Sequence, residues 1–288
     1  MKMATVSATD KTSQRWRGYI FPIIVHLIIY AGAVTMAIPF VWMLVTSLKE
    51  ESQVFTWPVQ WIPRPMNIRN YPDMWTAAPF NRFLINTVIY SVLTTAGSVF
   101  LSALAGFAFA KYRFPGRDKI FMALLATLMI PFHVTLIPVF VILKYLGWLN
   151  TYQGLIVPGL CNVFGIFLMR QFMQAIPGDL IDAARIDGCP EFTIFWRIIV
   201  PLSRPVIATL SIFVFMGTWN ELFWPLIVTM TEDMRTLQVG LAGFRTVWYV
   251  HWPQMMAGSI LATAPVFILF VSFQRYFVKG ITLTGLKG

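Results

Sequence analysis

The sequence predicts an all-α polytopic membrane protein with six transmembrane helices. Three observations carry this prediction. Hydrophobic residues make up 57% of the 288 residues and charged residues 12%, against about 45–50% and about 25% in soluble domains, and the mean hydropathy is +0.68. The apolar residues gather into charge-free runs at 18–48, 83–110, 120–143, 145–169 and 246–274, each long enough for the roughly 20-residue helix that crosses a bilayer. The basic residues are shared unevenly between alternate loops. This pattern excludes a soluble globular enzyme, a disordered chain and a disulfide scaffold. Of the two cysteines, Cys161 falls in an apolar run and Cys189 in a polar loop, so they are not expected to pair.

The elements follow in order. The first run comes after Arg15 and Arg17, as in a signal peptide. It is far too long for one and no small-residue cleavage site interrupts it, so it reads as a retained span at 19–47 behind a cytoplasmic segment, 1–18. The second span covers 84–110. The third, 120–143, contains Pro131 and Pro138. In lipid these free backbone carbonyls that neighbours or water must satisfy, so a packed or cavity-lining helix is expected. Gly147, Asn150 and Thr151 mark a turn, after which the fourth span covers 153–173. The fifth covers 204–229 and the sixth 254–278. Together, 19–288 form one transmembrane domain, with a cytoplasmic loop at 176–205 and a tail at 280–288.

Six spans put both termini on one side, and the basic residues choose it. The N-terminus carries Lys2, Lys11, Arg15 and Arg17. The second loop carries Lys111, Arg113, Arg117 and Lys119, and the fourth Arg170, Arg185, Arg197 and Arg204. The tail adds Arg275, Lys279 and Lys287. That is fifteen of the 22 basic residues, so this side, with both termini, is expected to be cytoplasmic. The net charge of +10 is then largely a consequence of topology, and no nucleic-acid partner is implied. Two outer segments are long for connectors. Residues 48–83 hold Trp57, Trp61 and Trp75, suited to an interfacial belt or to packing. Residues 230–253, with Gly240, Gly243 and mixed charge, are expected to be exposed and to contact an outer partner.

The loop at 176–205 carries the sharpest local signals. Pro177 and Gly178 break the chain, Asp179 suits an N-cap, and Asp182 lies near the positive end of the helix dipole. The helix runs to Gly188, which suits the left-handed residue after a helix end. Pro190 can open a second helix at its first position, and Pro201 ends or kinks it. Spacing is a second signal. Asp182-Ala183-Ala184 is followed after three residues by Gly188, after nine more by Ile198, and then by Val200-Pro201. This pattern resembles the EAA signature of permease subunits of ABC importers, with Asp for Glu at 182 and Val for Leu at 200. The stretches NTYQGLIVPG (150–159), FLMRQFM (167–173), VPLSRPVIA (200–208), WNELFWPL (219–226) and the terminal GLKG are similar to carbohydrate permeases of the maltose-transporter type, specifically the shorter six-span subunit.

That resemblance implies the architecture of a type I ABC importer permease in a bacterial or archaeal cell (inner) membrane. It implies a second, longer permease, two copies of an ABC ATPase that bind ATP and Mg, and an extracytoplasmic solute-binding protein. It also implies that the loop docks on the ATPase through Asp182, Ala183, Ala184, Arg185, Asp187, Gly188, Ile198 and Pro201. The residue chemistry suits that role, because two alanines allow close helix approach and Asp182 and Arg185 can pair with polar groups at a rim. The other reading is a solvated helical hairpin. The tail is expected to reach toward the same interface or to fray.

No G-x-x-x-x-G-K-S/T loop is present, so the chain is not expected to bind ATP or any other cofactor itself. No catalytic triad or metal spacing appears. Glu221 is the one acidic residue inside an otherwise apolar span, an expensive position that marks a packed or watery site. With Trp219, Asn220 and Trp224 it offers either a stacking and hydrogen-bonding site for a sugar or a helix-packing cluster. His133, between two prolines, is a further path candidate. The competing classes are a self-sufficient secondary transporter, for which no internal repeat or ion-coupling carboxylate pair is visible, and a membrane-bound enzyme, which lacks a catalytic constellation. The identity of the solute is not legible in this chain.

Overall fold

The computed structural model describes residues 8–245 and 249–282. Parts of the predicted N-terminal segment (1–7), the outer segment (246–248) and the tail (283–288) lie outside the described residues. The chain forms two units, Met1–Tyr71 with His251–Ile260, and Pro72–Val250 with Leu261–Gly288. The described residues are helical, with turns and one isolated antiparallel bridge between Arg245 and Val250.

The first unit is built on α1 (Ala8–Ser47), which continues through Pro22 and Pro39. Its last carbonyls have no partner within the helix, and the start of α2 (Asn70–Ala77) supplies one. The Asn70 amide donates to the carbonyls of Ser47 and Lys49, both at 2.8 Å, and the Tyr71 and Ser47 hydroxyls lie 2.9 Å apart. The Lys49 ammonium sits 4.5 Å above the Trp42 ring, whose other neighbour is Trp61, edge-on at 5.7 Å. Trp61 packs one edge on Trp42 and is still 52% exposed, while Trp57 is 90% exposed.

The second unit is organised around α3 (Phe80–Lys111). It packs on α7 (Val163–Gln174) and α11 (Arg204–Trp219). The core includes Val99, Ala103 and Phe107 of α3, Met169 and Met173 of α7, and Leu210 of α11. Small residues bring the backbones together. A Cβ on Gly106 would lie 2.5 Å from the Met169 Cβ, and one on Gly165 would lie 2.5 Å from the Ser102 Oγ. Trp75 stacks on Phe80 at the start of α3.

Among the described residues three helices are long and apolar enough to cross a membrane alone, at Pro22–Ser47, Phe80–Lys111 and Trp252–Ser272. The last belongs to α14 (Trp252–Thr282). Among the described residues the other predicted spans are broken. The predicted span 120–143 is α4 (Arg117–Thr127) and α5 (Phe132–Tyr145), bent by 98°. Pro131 makes that break as the N-cap of α5, whereas Pro138 lies within α5 without ending it. The predicted span 153–173 is α6 (Tyr152–Ile156) with a short 3₁₀ turn, bent by 42° from α7. The predicted span 204–229 is interrupted at 220–222, between α11 and α12 (Phe223–Val228).

The outer segment at 230–253 differs from the exposed loop expected. Residues 230–233 are exposed, but α13 (Leu237–Ala242) buries Leu237, Val239 and Leu241. Gly240 sits against the Phe83 ring, where a Cβ would stand 2.2 Å from a ring carbon. Two asparagines clasp the approach to this helix. Asn86, buried in α3, donates to the carbonyls of Asp233 and Arg235 at 2.7 and 2.9 Å and accepts from the Tyr152 hydroxyl at 2.6 Å. Asn150, at φ 58°, accepts from the Met230 and Thr231 amides at 2.8 and 3.0 Å. We predict that Asn86→Ala costs about 1–3 kcal/mol for each buried carbonyl left unpaired. Asn150→Gly, which relieves the positive φ, should destabilise less than Asn150→Ala. Thermal unfolding of the detergent-purified variants measures both effects.

Candidate functional site

The loop at 176–205 folds into a helical hairpin, with Gly188 in its predicted place and the two N-caps each one residue from theirs. Gly178 is the N-cap of α8 (Asp179–Ile186). Its carbonyl accepts from the Ile181 and Asp182 amides at 2.8 and 3.0 Å, so Asp179 is the first helical residue instead. At the other end Gly188 takes φ +77°. Its amide donates to the Arg185 carbonyl at 3.0 Å and the Cys189 amide to that of Ala184 at 2.9 Å, the paired closure of a Schellman turn. Pro190 is the N-cap of α9 (Glu191–Ile194), one position before the site predicted for it.

A π-turn, Phe195–Ile199, follows α9 and leads into α10 (Val200–Leu202). Pro201 has no N–H to give the Arg197 carbonyl, and the Val200 amide instead reaches back five residues to Phe195. The segment Glu191–Leu202 then bends by 81° at Ser203 into α11.

The hairpin has an inner and an outer face. Ile181 and Ala184 of α8 pack into the α3–α7–α11 core with Ile194, Phe195 and Ile199, and Ile198 packs against its edge. Ala184 is 7% exposed, so it does not belong to an open docking face, contrary to the expectation for both alanines. Burial divides the helix, with Ile181 and Ala184 inside and Leu180, Ala183 and Asp187 outside. Leu180, Ala183, Asp187 and Gly188 are exposed, and Ile186 is 86% exposed.

Asp182 and Arg185, expected to face a partner, pair first with each other at 3.2 Å. Arg185 Nε also donates to Glu191 Oε1 at 2.7 Å. The Tyr112 hydroxyl, one residue past α3, donates to Glu191 Oε2. The Arg185 guanidinium lies 5.7 Å from the Tyr112 ring centroid. Burial, and then the Glu191 carboxylate, push the Tyr112 phenol up to about 12. Its bond thus contributes fully below the ordinary tyrosine value near 10 and is lost as pH rises through the folded value. Next to it Lys111 donates to the carbonyls of Gln174 and Ile176. No local motif marks Tyr112 in the sequence, and its position among basic residues just after a predicted span was the one signal available.

The second candidate group is divided by the structure. Trp219 and Trp224 are 2% and 5% exposed. Their indole N–H groups donate to the carbonyls of Ala262 at 3.0 Å and Leu155 at 3.3 Å. They bind helix to helix and offer no face to a solute. Glu221 Oε1 accepts from the amides of Phe223 at 2.9 Å and Trp224 at 3.2 Å, capping the restart of the helix at α12. Asn220 is exposed and donates to the Met216 carbonyl. His133 is also exposed, 5.4 Å from the Phe223 ring. Phe223 joins the group unforeseen, placed by the cap that Glu221 makes. Among the described residues no group of His, Cys, Asp and Glu could hold a metal ion. We predict that Glu221→Ala destabilises the protein by about 1 kcal/mol through loss of the cap, and that Glu221→Gln, which keeps an acceptor oxygen, does not. Thermal unfolding compares them. A transport defect in the stable Gln variant would instead assign the charge a role on the solute's path.

The chain matches, over residues 98–283, the family model described as binding-protein-dependent transport system inner membrane component. It is 37% identical over 227 residues to the arabinooligosaccharides transport system permease protein AraQ of Halalkalibacterium halodurans, covering 78% of this chain and 81% of that one. It is 32% identical over 264 residues to the sn-glycerol-3-phosphate transport system permease protein UgpE of Yersinia pestis, covering 89% and 94%. It is also 32% identical over 289 residues to the probable ABC transporter permease protein YurM of Bacillus subtilis, covering 98% and 94%. Its fold matches a chain from a bacterial ABC transporter involved in the import of the acidic polysaccharide alginate. The TM-score is 0.80 at 24% identity, covering 96% of this chain and 100% of that one, a likeness of fold.

Proposed function

The chain belongs to the binding-protein-dependent transport system inner membrane components, the permeases of ATP-driven importers, and from that premise we propose that it translocates a sugar or sugar-like solute. The solute-binding protein delivers the solute and the ATPase supplies the energy. The arabinooligosaccharide and glycerol-phosphate systems of its relatives mark the chemical range, an oligosaccharide or a polyol phosphate. In this reading the chain pairs with a second, longer permease and the two engage two copies of the ATPase, which bind ATP and Mg. Both termini lie in the cytoplasm, on the side where fifteen of the 22 basic residues collect.

One observation carries the mechanism. The α8–α9 hairpin holds an exposed face of Leu180, Ala183, Ile186 and Asp187 on a turn closed by Gly188, while its other face is fastened to the core. An exposed isoleucine beside an alanine, on a helix of two turns, suits insertion into a groove on a partner. Ala183 leaves room for that approach, and the buried face passes displacement to α3 and α11. Closure of the ATPase then drives alternating access through this hairpin. The signature residues Ile198 and Pro201 serve inside the hairpin by packing and by setting the π-turn.

Gly188→Val meets no neighbouring atom but forces a β-branched residue to positive φ. We predict membrane insertion as in wild type, with uptake sharply reduced and the ATPase shed or unresponsive to loaded binding protein. Ala183→Trp is expected to act likewise by filling the open face. Subunit ratio and stimulated hydrolysis in the purified complex measure both, and normal values throughout would remove the hairpin from coupling. Purified alone, the chain is expected to hydrolyse no ATP.

A further inference from the structure

We infer that Tyr112 and Glu191 are positioning residues that lock the hairpin to the end of α3, so that hairpin and α3 move as one body. The inference rests on the docking reading above and adds to it the link that carries the motion inward. The apolar attachment of the hairpin is directionless. Ile181, Ala184, Ile194 and Phe195 contact the core, and such contacts resist separation more than they resist rocking. Directional bonds are needed to fix the angle.

Those bonds form a closed ring over three elements. Tyr112 is the C-cap residue of α3, and its hydroxyl holds Glu191 Oε2 at the start of α9. Glu191 Oε1 holds Arg185 Nε at 2.7 Å, near the end of α8. The Arg185 guanidinium returns to the Tyr112 ring face at 5.7 Å. Tyr112 is itself fixed by Phe107, edge-on at 5.3 Å. An isolated exposed ion pair contributes little. Here each group has two partners, so fixing one side chain lowers the cost of ordering the next. Asp182 hangs from the ring by one bond, at 3.2 Å to Arg185, and can leave it for a partner without opening the ring. The covalent routes from the hairpin run to α7 through residues 175–178 and to α11 through the π-turn and the 81° bend at Ser203. The ring adds to these a direct link to α3.

The test uses the intact transporter reconstituted with its partner subunits and binding protein. Tyr112→Phe keeps the ring and its packing and removes the hydroxyl, Glu191→Gln weakens the acceptor, and the double variant combines them. Expected are normal subunit ratios, retained basal hydrolysis, and solute imported per ATP reduced about fivefold or more in each single variant, the lower range of coupling between sites. The double variant is expected to fall no further, because both changes act on the same Tyr112–Glu191 bond. A spin label on Ile186→Cys should show a broader distribution of hairpin positions in the variants. Unchanged import per ATP in both single variants, independent losses that multiply in the double, or loss of subunit stoichiometry each overturns the inference. Crosslinking of Ile186→Cys to the ATPase in the otherwise unaltered transporter separates the two readings. Crosslinking with unchanged coupling removes the ring alone, and its absence removes docking and with it the ring.

Discussion

The close approach of α3 to α7 governs the larger unit. In hydrocarbon, helices gain little from hiding apolar surface, and short-range packing takes over. Gly106 lets the α3 backbone meet Met169 and Arg170, Gly165 lets α7 meet Ser102, and Gly159 lies against Thr94. A single Cβ at any of these positions would meet an atom at under 3 Å. Ser91, Thr94, Ser98 and Ser102 along α3 are all buried, small enough to leave the backbones in reach. Once α3 and α7 have this separation, the loops at their ends have defined places to attach.

The breaks in the spans follow a second constraint. A backbone N–H at membrane depth needs a partner, and each restart of a helix exposes several. The restarts have local acceptors. Thr151 accepts from the Gly154 amide at 3.3 Å, Asn162 from the Gly165 amide at 2.8 Å, and Glu221 from two amides at the start of α12. At Pro131 the proline has no N–H to satisfy. The polar residues of these stretches are thus largely explained by the bends they permit. Glu221, conspicuous in an apolar sequence, accepts from two backbone donors.

These constraints make α3 a strut between two polar fastenings. At its N-terminal end Arg82, Asn86 and Thr87 bind the segment leading into α13. At its other end Lys111 and Tyr112 bind the end of α7 and the hairpin. The whole of α3 is 32 residues of unbroken helix, about 48 Å at roughly 1.5 Å per residue, with the two fastenings near its ends. The neighbouring α4–α5 and α6–α7 pairs are bent, so α3 is the unbroken helix that joins the fastening at its N-terminal end to the one at its C-terminal end. A permease that must answer a binding protein on one side and an ATPase on the other has use for such an element.

Composition alone determined the class, because a chain with 12% charge and apolar runs of bilayer length has no soluble way to bury them. Local sequence also determined the hairpin. Gly188 closes its first helix and Pro201 disturbs its second, and both effects act within a few residues. The signature around Asp182 was legible for the same reason, as a fixed spacing along one short segment. Tertiary structure decided what depends on distance in the chain. Hydropathy registers how apolar a run is and carries no record of its bends, so the breaks near Pro131, Asn162 and Glu221 were not foreseen. Ala183 and Ala184 are chemically identical, and only packing on α7 and α11 turns one inward and leaves the other open. Trp219 and Trp224 looked available until the fold brought the carbonyls of Ala262 and Leu155 to their N–H groups. Tyr112 and Glu191 lie 79 residues apart, and nothing within either neighbourhood announces the other. Their meeting is a property of how α3 and the hairpin pack, which no local rule contains.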